Sequence, residues 1–231
     1  MPVRAGVFPG RNLNLFNGNG SQVACVDDFN ADNRDHSGEG FVGGSMLVAP
    51  REMGLIAHMK IPGPPSLPRW GSEWKAWMVA NARSLGPTYG EFDALSYEDN
   101  FLDLDPEAKD AHGLPVIRVT HRIHENERRG VEFLRGRQHE WLSAAGASET
   151  WSLPLHVEAR HCYGGTRMGP DPTTSVVDGY GIAHEVPNLA MVGASTFPTA
   201  GGVNPTLTVQ ATAWRTADRI LAQLGSLATT D

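Results

Sequence analysis

The stretch that closes the fold runs from residue 187 to residue 206 and reads PNLAMVGASTFPTAGGVNPT. The apolar run Ala190–Ala194 predicts a buried strand that ends in small residues. Pro205 suits the first turn of a helix and Asn204 suits the N-cap position in front of it. A strand, a glycine-rich loop and a helix in this order are typical of the last unit of an α/β sheet.

The helix that follows this loop is marked by apolar residues at helical spacing. The intervals between them are 4, 3, 3, 4 and 3 residues, which keeps them on one side of a helix. The stripe consists of Leu207, Ala211, Trp214, Ala217, Leu221 and Leu224.

A second glycine-rich block lies upstream, where residues 161–169 read HCYGGTRMG. The pair Gly164-Gly165 lets the backbone approach a ligand closely, and His161 precedes it. Asn204 stands 43 residues later, at a helix start whose exposed N–H groups carry partial positive charge. A base beside a positive helix end suits an alcohol that loses a proton and a hydride together. Cys162 is predicted to be a core residue, because neighbours along a strand point to opposite faces.

Between the N-terminus and this block the patterns alternate between strand and helix. Three strand-like runs, Tyr89–Tyr97, Asn100–Leu104 and Val116–His121, predict an antiparallel meander. A helix is predicted from Glu125 to about Ala145, and Gly146 is a plausible stop.

Earlier elements are shorter. Val23–Val26 predicts a short strand, and Gly40–Ala49 a strand interrupted by glycines. Trp70–Leu85 has apolar residues near helical spacing and ends at a Gly-Pro pair. Its three tryptophans permit a sugar-stacking platform, but a helix facing the core is the favoured interpretation.

The composition excludes several classes of function. A hydrophobic content of 40% allows a real core, and a net charge of −7 disfavours nucleic acid and anionic membranes as partners. No apolar run approaches the length of a membrane span. The first ten residues lack the basic start and apolar centre of a signal peptide, which predicts a cytoplasmic protein.

Metal and serine-hydrolase chemistry also find little support. Three His-Glu pairs begin at His124, His139 and His184, but none has a second histidine at the spacing of a zinc-binding helix. No metal site is therefore expected. The serines of Gly43–Leu47 and Gly193–Phe197 lack the second glycine of a nucleophile elbow.

Three blocks together resemble the C-terminal region of the glucose–methanol–choline (GMC) oxidoreductases. They are His161–Gly169, the run Asn188–Ser195, and Asn204-Pro205-Thr206. The sequences of these blocks are most similar to those of the pyranose-oxidase and gluconate-dehydrogenase-like branch. Phe29–Gly38 and the Gly-Leu-Pro-Val run at residue 113 are weaker echoes.

The resemblance implies an FAD-dependent enzyme that oxidises small alcohols, sugars or sugar acids. His161, neutral and partly desolvated, corresponds to the base that takes the hydroxyl proton, and the hydride goes to flavin N5. Asn204 corresponds to the partner that orients the same oxygen. Positions lying against the cofactor match Gly193, Ala194, Asn204, Pro205 and Thr206.

The region that would hold the ADP part of FAD has no counterpart in the sequence. Gly38–Gly43 matches Gly-x-Gly-x-x-Gly letter by letter, but it runs into a glycine-broken strand instead of a helix. The chain therefore resembles the C-terminal half of the enzyme: a truncated product, a fragment, or one part of a split enzyme with a separate N-terminal FAD-binding chain. The rival hypothesis is a non-catalytic remnant or binding module that does not hold FAD alone.

The predicted fold class is α+β. Residues 1–34 form a loop-rich segment, and residues 35–160 form a substrate-binding domain with an antiparallel sheet and flanking helices. Residues 161–231 supply a strand, a loop and a helix that complete an α/β FAD-binding domain.

Overall fold

The computed structural model describes residues 1–15, 23–50, 61–155 and 161–228, together with Ile56 and Met59. The chain divides into two compact units. We call Met1–Asp93 with Glu125–Glu158 the sheet unit, and Ala94–His124 with Ala159–Asp231 the site unit.

The described elements are α-helices, antiparallel strands and one 3-10 turn, and the fold is α+β as predicted. In chain order they are β1 Val3–Val7, β2 Val23–Val26, β3 Ser45–Pro50, α1 Ser72–Asn81, β4 Leu85–Phe92, β5 Phe101–Lys109, β6 Pro115–Thr120, α2 Glu125–Ala144, β7 Glu149–Ser152, the 3-10 turn Ala194–Thr196 and α3 Thr206–Ala228.

The sheet unit is built on five antiparallel strands in the order β2-β3-β4-β1-β7. Helix α2 packs against β4, β7 and β1 and agrees with the predicted helix to within a residue. Its buried side includes Val131, Leu134 and Leu142, at the spacing of an amphipathic helix. Gly130 lies so close to the ring of Phe92 that a β-carbon at residue 130 would collide with the ring.

A second cluster covers the other face of the same sheet. Ala5, Val7, Ile61, Leu85 and Trp151 form it, and Trp77 of α1 packs against it. Residues 90 and 92 of β4 contact α2. Side chains alternate between the two faces of a strand, so Leu85 points to the opposite face. Both faces of the sheet are therefore covered. The Trp77 and Trp151 rings meet edge to face at 6.0 Å, so α1 faces the core through Trp77. The helix is shorter than the predicted Trp70–Leu85: Trp70 is exposed ahead of it and Leu85 lies in β4.

The predicted meander is wrong in its first strand. β4 pairs with β1 and β3 in the five-stranded sheet, and it does not pair with β5. β5 and β6 form a separate two-stranded hairpin in the site unit. The three strand-like runs follow one another in the sequence, which favoured a single sheet. In the structure, β4 instead pairs with β1, which lies far upstream.

The segment Phe29–Gly38, which resembles the family more weakly, contributes contacts within the sheet unit. His36 is buried, and its Nε2 lies 3.0 Å from the carbonyl oxygen of Phe29. Because a carbonyl only accepts, Nε2 carries the proton. The imidazole also packs against the rings of Phe41 and Phe133 at 5.2 and 5.7 Å. The strand predicted to begin at Gly40 begins at Ser45, after these contacts.

The site unit contains the β5–β6 hairpin, a run of turns joined by isolated bridges, and α3. α3 confirms the predicted helix and begins at Thr206, one residue later than expected. The strand predicted at Ala190–Ala194 is wrong: Ala190 makes one bridge to Ile182, and a 3-10 turn starts at residue 194. Val192 is exposed. A strand needs neighbours for its backbone groups, and the described residues offer this segment a single bridge.

None of the helices in the described residues combines the length and apolar character that crossing a bilayer requires.

Candidate active site

The two residues singled out as a catalytic pair are in direct contact in the site unit. The side-chain nitrogen Nδ2 of Asn204 lies 3.1 Å from Nε2 of His161, and both side chains are exposed. An amide nitrogen only donates, so Nε2 of His161 is the acceptor and this imidazole carries its proton on Nδ1. The fold therefore joins, through one hydrogen bond, two residues that are 43 positions apart.

The backbone of His161 adopts an uncommon conformation. Its φ angle is 55°, in the left-handed region that few non-glycine residues enter. Residues in such conformations persist where surrounding contacts hold them. The loop after His161 supplies such contacts, because the N–H groups of Thr166 and Met168 donate to the carbonyls of Ser195 and Thr196, each at 2.8 Å.

A second anchor of this loop was not predicted. The hydroxyl of Tyr163 donates to the carbonyl of Ala94 at 2.7 Å and lies 3.2 Å from the hydroxyl of Ser96. Ser96 in turn donates to the carbonyl of Pro198 at 3.1 Å. These partners are 67 to 102 residues apart in sequence, and no periodicity or motif marks them. They tie the loop of His161 to the loop that leads to Asn204.

The start of α3 lies next to Asn204. The carbonyl of Pro205 accepts the N–H of Val209 at 2.9 Å, so Pro205 takes the N-cap position that was predicted for Asn204, and the helix begins at Thr206. The N–H groups of the first turn have no partner within the helix and carry partial positive charge. Thr206, at the first helical position, is exposed. A positive helix end thus stands beside the His161–Asn204 pair, as predicted.

The residues expected to lie against a flavin offer open space. Gly193 has a φ of 119°, which suits glycine alone, and a β-carbon built there meets nothing within 4 Å. It opens the 3-10 turn at Ala194, whose neighbour Ser195 accepts a hydrogen bond from Thr166 of the His161 loop. The open space beside Gly193 leaves room for a flat ring such as that of a flavin.

The described residues do not fit the ADP end. Gly38–Gly43 passes through a turn closed by the Glu39 N–H and the His36 carbonyl and then enters β3. A strand follows this run directly, so the strand–turn–helix setting that binds a pyrophosphate is missing there. Gly38–Gly43 therefore matches the Gly-x-Gly-x-x-Gly motif in sequence but not in structure.

One expectation about the surroundings of the site is wrong. Cys162 is exposed and is not a core residue. His161 is also exposed in this chain, and the partly desolvated base that the resemblance implies stays a prediction for the flavin-bound enzyme. Within the described residues no three histidine, cysteine or carboxylate side chains lie close enough together to hold a metal ion.

Comparison with known proteins settles the family. A family profile described as "GMC oxidoreductase" matches residues 96–213, slightly more than half of the chain. The chain belongs to the GMC oxidoreductase family. The match contains His161 and Asn204, the 3-10 turn and the first part of α3. The resemblance read from the sequence blocks is thereby confirmed.

Among characterised proteins, the chain is similar to dehydrogenases named for alcohols, sugars or sugar acids. The gluconate 2-dehydrogenase flavoprotein of Pantoea cypripedii is 35% identical over an alignment of 226 residues, which covers 91% of this chain and 35% of the relative. The fructose dehydrogenase large subunit of Gluconobacter japonicus is 36% identical over 59% of this chain and 25% of its own length. The 2-methyl-1,2-propanediol dehydrogenase of Mycolicibacterium austroafricanum is 39% identical over 54% of this chain and 23% of its own.

The chain therefore spans about a third of the length of the gluconate 2-dehydrogenase flavoprotein, and the matches cover a smaller share of the other two.

Proposed function

We propose that this chain is the catalytic C-terminal part of an FAD-dependent enzyme that oxidises the CH–OH group of an alcohol, sugar or sugar acid. The observation that carries the proposal is the 3.1 Å contact between His161 Nε2 and Asn204 Nδ2 beside the start of α3. The relatives named for gluconate, fructose and a propanediol support the substrate class.

His161 is proposed as the general base. Imidazole is suited to the role because its pKa ordinarily lies near physiological pH. With Nδ1 protonated, Nε2 has a lone pair that accepts the proton of a substrate hydroxyl. In the chain without substrate this lone pair accepts from Asn204. A substrate oxygen takes the position between the two groups, donating to Nε2 and accepting from Nδ2.

Asn204 then fixes the orientation of the substrate oxygen, and α3 contributes charge stabilisation. Two hydrogen bonds to one oxygen leave the carbon-bound hydrogen in a defined direction. FAD, when bound, supplies the acceptor for the hydride that leaves this carbon. Gly193, Ala194, Asn204, Pro205 and Thr206 are the residues proposed to contact the flavin. The positive end of α3 favours negative charge developing nearby.

The proposal keeps the division expected from the sequence. Residues 35–160 act as the substrate-binding domain and residues 161–231 as part of the FAD-binding domain, although the β5–β6 hairpin groups by contacts with the latter. A separate N-terminal FAD-binding chain is the proposed partner, and the name "large subunit" of the fructose dehydrogenase supports a multi-chain arrangement. The cytoplasmic location stays a prediction.

The rival is a non-catalytic remnant that does not take part in flavin chemistry. The experiment that separates the two uses a chimera, in which this chain replaces the matched region of the Pantoea flavoprotein. The chimera is purified, its flavin absorbance is recorded, and gluconate, fructose and 1,2-propanediol are added without oxygen. Bleaching of the flavin band in a single turnover supports catalysis, whereas a yellow chimera that no substrate bleaches supports the rival.

His161→Ala in this chimera is expected to slow flavin bleaching by about 10² to 10⁴-fold, because the general base is removed. Asn204→Ala is expected to slow it less. His112→Ala is the matched control, since His112 is an exposed histidine in the hairpin turn of the same unit. Unchanged bleaching by His161→Ala would eliminate the assigned base, whatever the fate of the other variants.

A further inference from the structure

A group of nitrogen and hydroxyl donors lies where β1, β7 and α2 of the sheet unit meet. We call this group the Arg4 cluster. Arg4 stands on β1 directly opposite Ser152 of β7. Arg135 and His139 are four residues apart on α2, which places them on the same side of that helix. The Arg4 cluster consists of Arg4, Arg135, His139, Thr150 and Ser152.

The half-buried side chain of Arg4 is held by neutral partners. Its Nε donates to Thr150 Oγ1 at 3.0 Å and its Nη1 donates to Ser152 Oγ at 2.9 Å. Its Nη2 lies 3.5 Å from His139 Nδ1, and because a guanidinium nitrogen only donates, Nδ1 accepts and this imidazole carries its proton on Nε2. No carboxylate within the described residues pairs with Arg4. The guanidinium is thus fixed in position while its charge has no counterion.

Other arginines of the sheet unit are arranged differently. In the part of this unit that the structure describes, every other arginine whose side chain makes a hydrogen bond also pairs with a carboxylate. These residues are Arg34, Arg129, Arg135 and Arg137. An arginine side chain keeps its charge in proteins, and a partly buried charge is normally compensated by an opposite one. Arg4 is therefore the exception in its unit.

Arg135 adds a second positive charge to the cluster. Its Nη2 donates at 3.2 Å to the carbonyl of Leu153, the residue that follows Ser152 on the chain. Its Nη1 donates at 2.7 Å to Glu132, whose side chain is 67% exposed. Burial and the charge of Arg135 both lower the pKa of Arg4, so the surroundings disfavour the charged guanidinium. Two guanidinium groups share a single carboxylate, and one positive charge remains uncompensated among these described residues.

The unused hydrogen-bonding groups of the cluster are donors. Arg4 has five N–H groups and three of them have partners. The hydroxyl of Ser152 accepts from Arg4 and keeps its own hydrogen, and the exposed ring of His139 carries an N–H at Nε2. Guanidinium and hydroxyl donors at one positively charged place are suited to the oxygens of a carboxylate or phosphate.

We infer that the Arg4 cluster is a binding site for a small oxyanion, a carboxylate or a phosphate group. The bound oxyanion accepts from Arg4, Ser152 and His139 and balances the charge that Glu132 leaves over. The hydroxyls that hold Arg4 orient it before the anion arrives, which reduces the ordering that binding requires. The net charge of the whole chain is −7, so the attraction has to come from this local arrangement. The site is independent of the proposed oxidation chemistry.

The test follows the full chain, labelled with ¹⁵N, by NMR during addition of sodium phosphate or sodium acetate. Sodium chloride at the same ionic strength is the reference, and acetamide is the uncharged counterpart of acetate. Saturable shifts of the Arg4 Nε–H signal and of the Thr150 and Ser152 amide signals are expected with phosphate, with acetate or with both. The two probes distinguish a phosphate group from a carboxylate, and binding of either supports the site. Binding of neither overturns it.

Arg4→Gln should weaken the binding of the anion about tenfold or more, because it removes charge-assisted hydrogen bonds. Arg135→Gln removes the second cation from the helix side and should also weaken it, and this variant decides the question if Arg4→Gln does not fold. Arg128→Gln is the matched control, since Arg128 is an exposed arginine of the same helix outside the cluster. It should bind the anion like the unmodified chain.

Three further results would overturn the inference. Equal shifts with chloride would mean that the added salt only screens charge. Unchanged binding by both Arg4→Gln and Arg135→Gln would place the anion elsewhere, and an equal loss in Arg128→Gln would show attraction to positive charge in general. None of these outcomes bears on His161, whose test is flavin bleaching in the chimera.

Discussion

The sheet unit and the site unit of this chain differ in how much of their apolar surface is buried. In the sheet unit, both faces of a five-stranded sheet are covered, and Leu134 of α2 is 0% exposed. In the site unit, the β5–β6 hairpin pairs Leu102 with Val119 and Leu104 with Ile117, and all four side chains are exposed. Leu207, Trp214 and Leu221 of α3 add further exposed apolar surface in the same unit.

Folding of the two units is therefore stabilised to different extents by contacts within the chain. Burial of apolar side chains is the main favourable contribution to folding, and a two-stranded hairpin alone is marginal in water. The sheet unit has its own core, and the loops of the site unit are held by polar anchors such as Tyr163 and Ser96 as well as by buried Val177 and Phe197. The described residues leave more large apolar side chains of the site unit exposed.

The largest expected difference is between two leucine truncations. Leu134→Ala should lower the free energy of unfolding of the sheet unit by about 2–5 kcal/mol, because it leaves a cavity between α2 and the sheet. Leu221→Ala, at an exposed position of α3, should change the stability of the chain by about 0.5 kcal/mol or less. Urea unfolding followed by amide exchange of peptides from β4 and α3 measures both. Equal costs would contradict the contrast between the units.

Two glycines of helix α2 provide a smaller comparison. Gly130→Ala should destabilise the sheet unit by about 1–3 kcal/mol, because the new methyl group collides with the ring of Phe92. Gly136, on the same helix, has nothing within 4 Å of its β-carbon position. Gly136→Ala should stabilise the helix by about 0.5–1 kcal/mol through propensity. Thermal unfolding measures both, and a stabilising Gly130→Ala would show that the Phe92 ring is free to move.

The smallest expected effect concerns the pH dependence of stability, and it has opposite signs in the two units. Burial raises the pKa of Asp93 in the sheet unit, and nearby Asp32 adds to the rise. A hydrogen bond of 2.8 Å from the Gly44 N–H and the proximity of His36 act in the opposite direction but are smaller than the effect of burial. Since the folded pKa is the higher one, stability is lost as pH rises from the unfolded value of about 3.9 through the folded value. Asp93→Asn should remove this loss.

Asp105 in the site unit serves as the control for that measurement. Hydrogen bonds from the N–H groups of Ala108 and Glu107 hold its pKa below the ordinary value. Its contribution to stability is therefore present above the unfolded pKa and lost as pH falls through the folded one. Urea unfolding of Asp93→Asn and Asp105→Asn across the acidic range should show slope changes of opposite sign. Slope changes of the same sign would contradict the assignment.

Sequence patterns predicted the elements whose stabilising contacts are local or periodic. The helix at Glu125–Ala144 and the helix after Asn204 follow from apolar spacing, and the β5–β6 hairpin follows from two strand-like runs separated by turn residues. The candidate pair His161 and Asn204 was found from glycine-rich surroundings and a helix start. The direct hydrogen bond between them was not foreseeable from either block alone.

The errors fall where distant segments compete for a position. β4 was assigned to the wrong sheet because β1, about eighty residues upstream, is its actual neighbour. The run at Ala190 has the composition of a strand but makes a single bridge, and Cys162 is exposed instead of buried. The Tyr163 anchors join residues with no common motif.

The amino-acid sequence was enough to establish the family, the α+β class, the helices and the two residues on which the chemistry is proposed to rest. These depend on local spacing, side-chain type and backbone freedom, which follow directly from the order of the residues. The tertiary structure was needed to learn which strands pair, how the His161 loop is anchored, and that the apolar stripe of α3 faces outward. Those properties depend on which distant surfaces meet, and a pattern that predicts an apolar face does not specify what covers it.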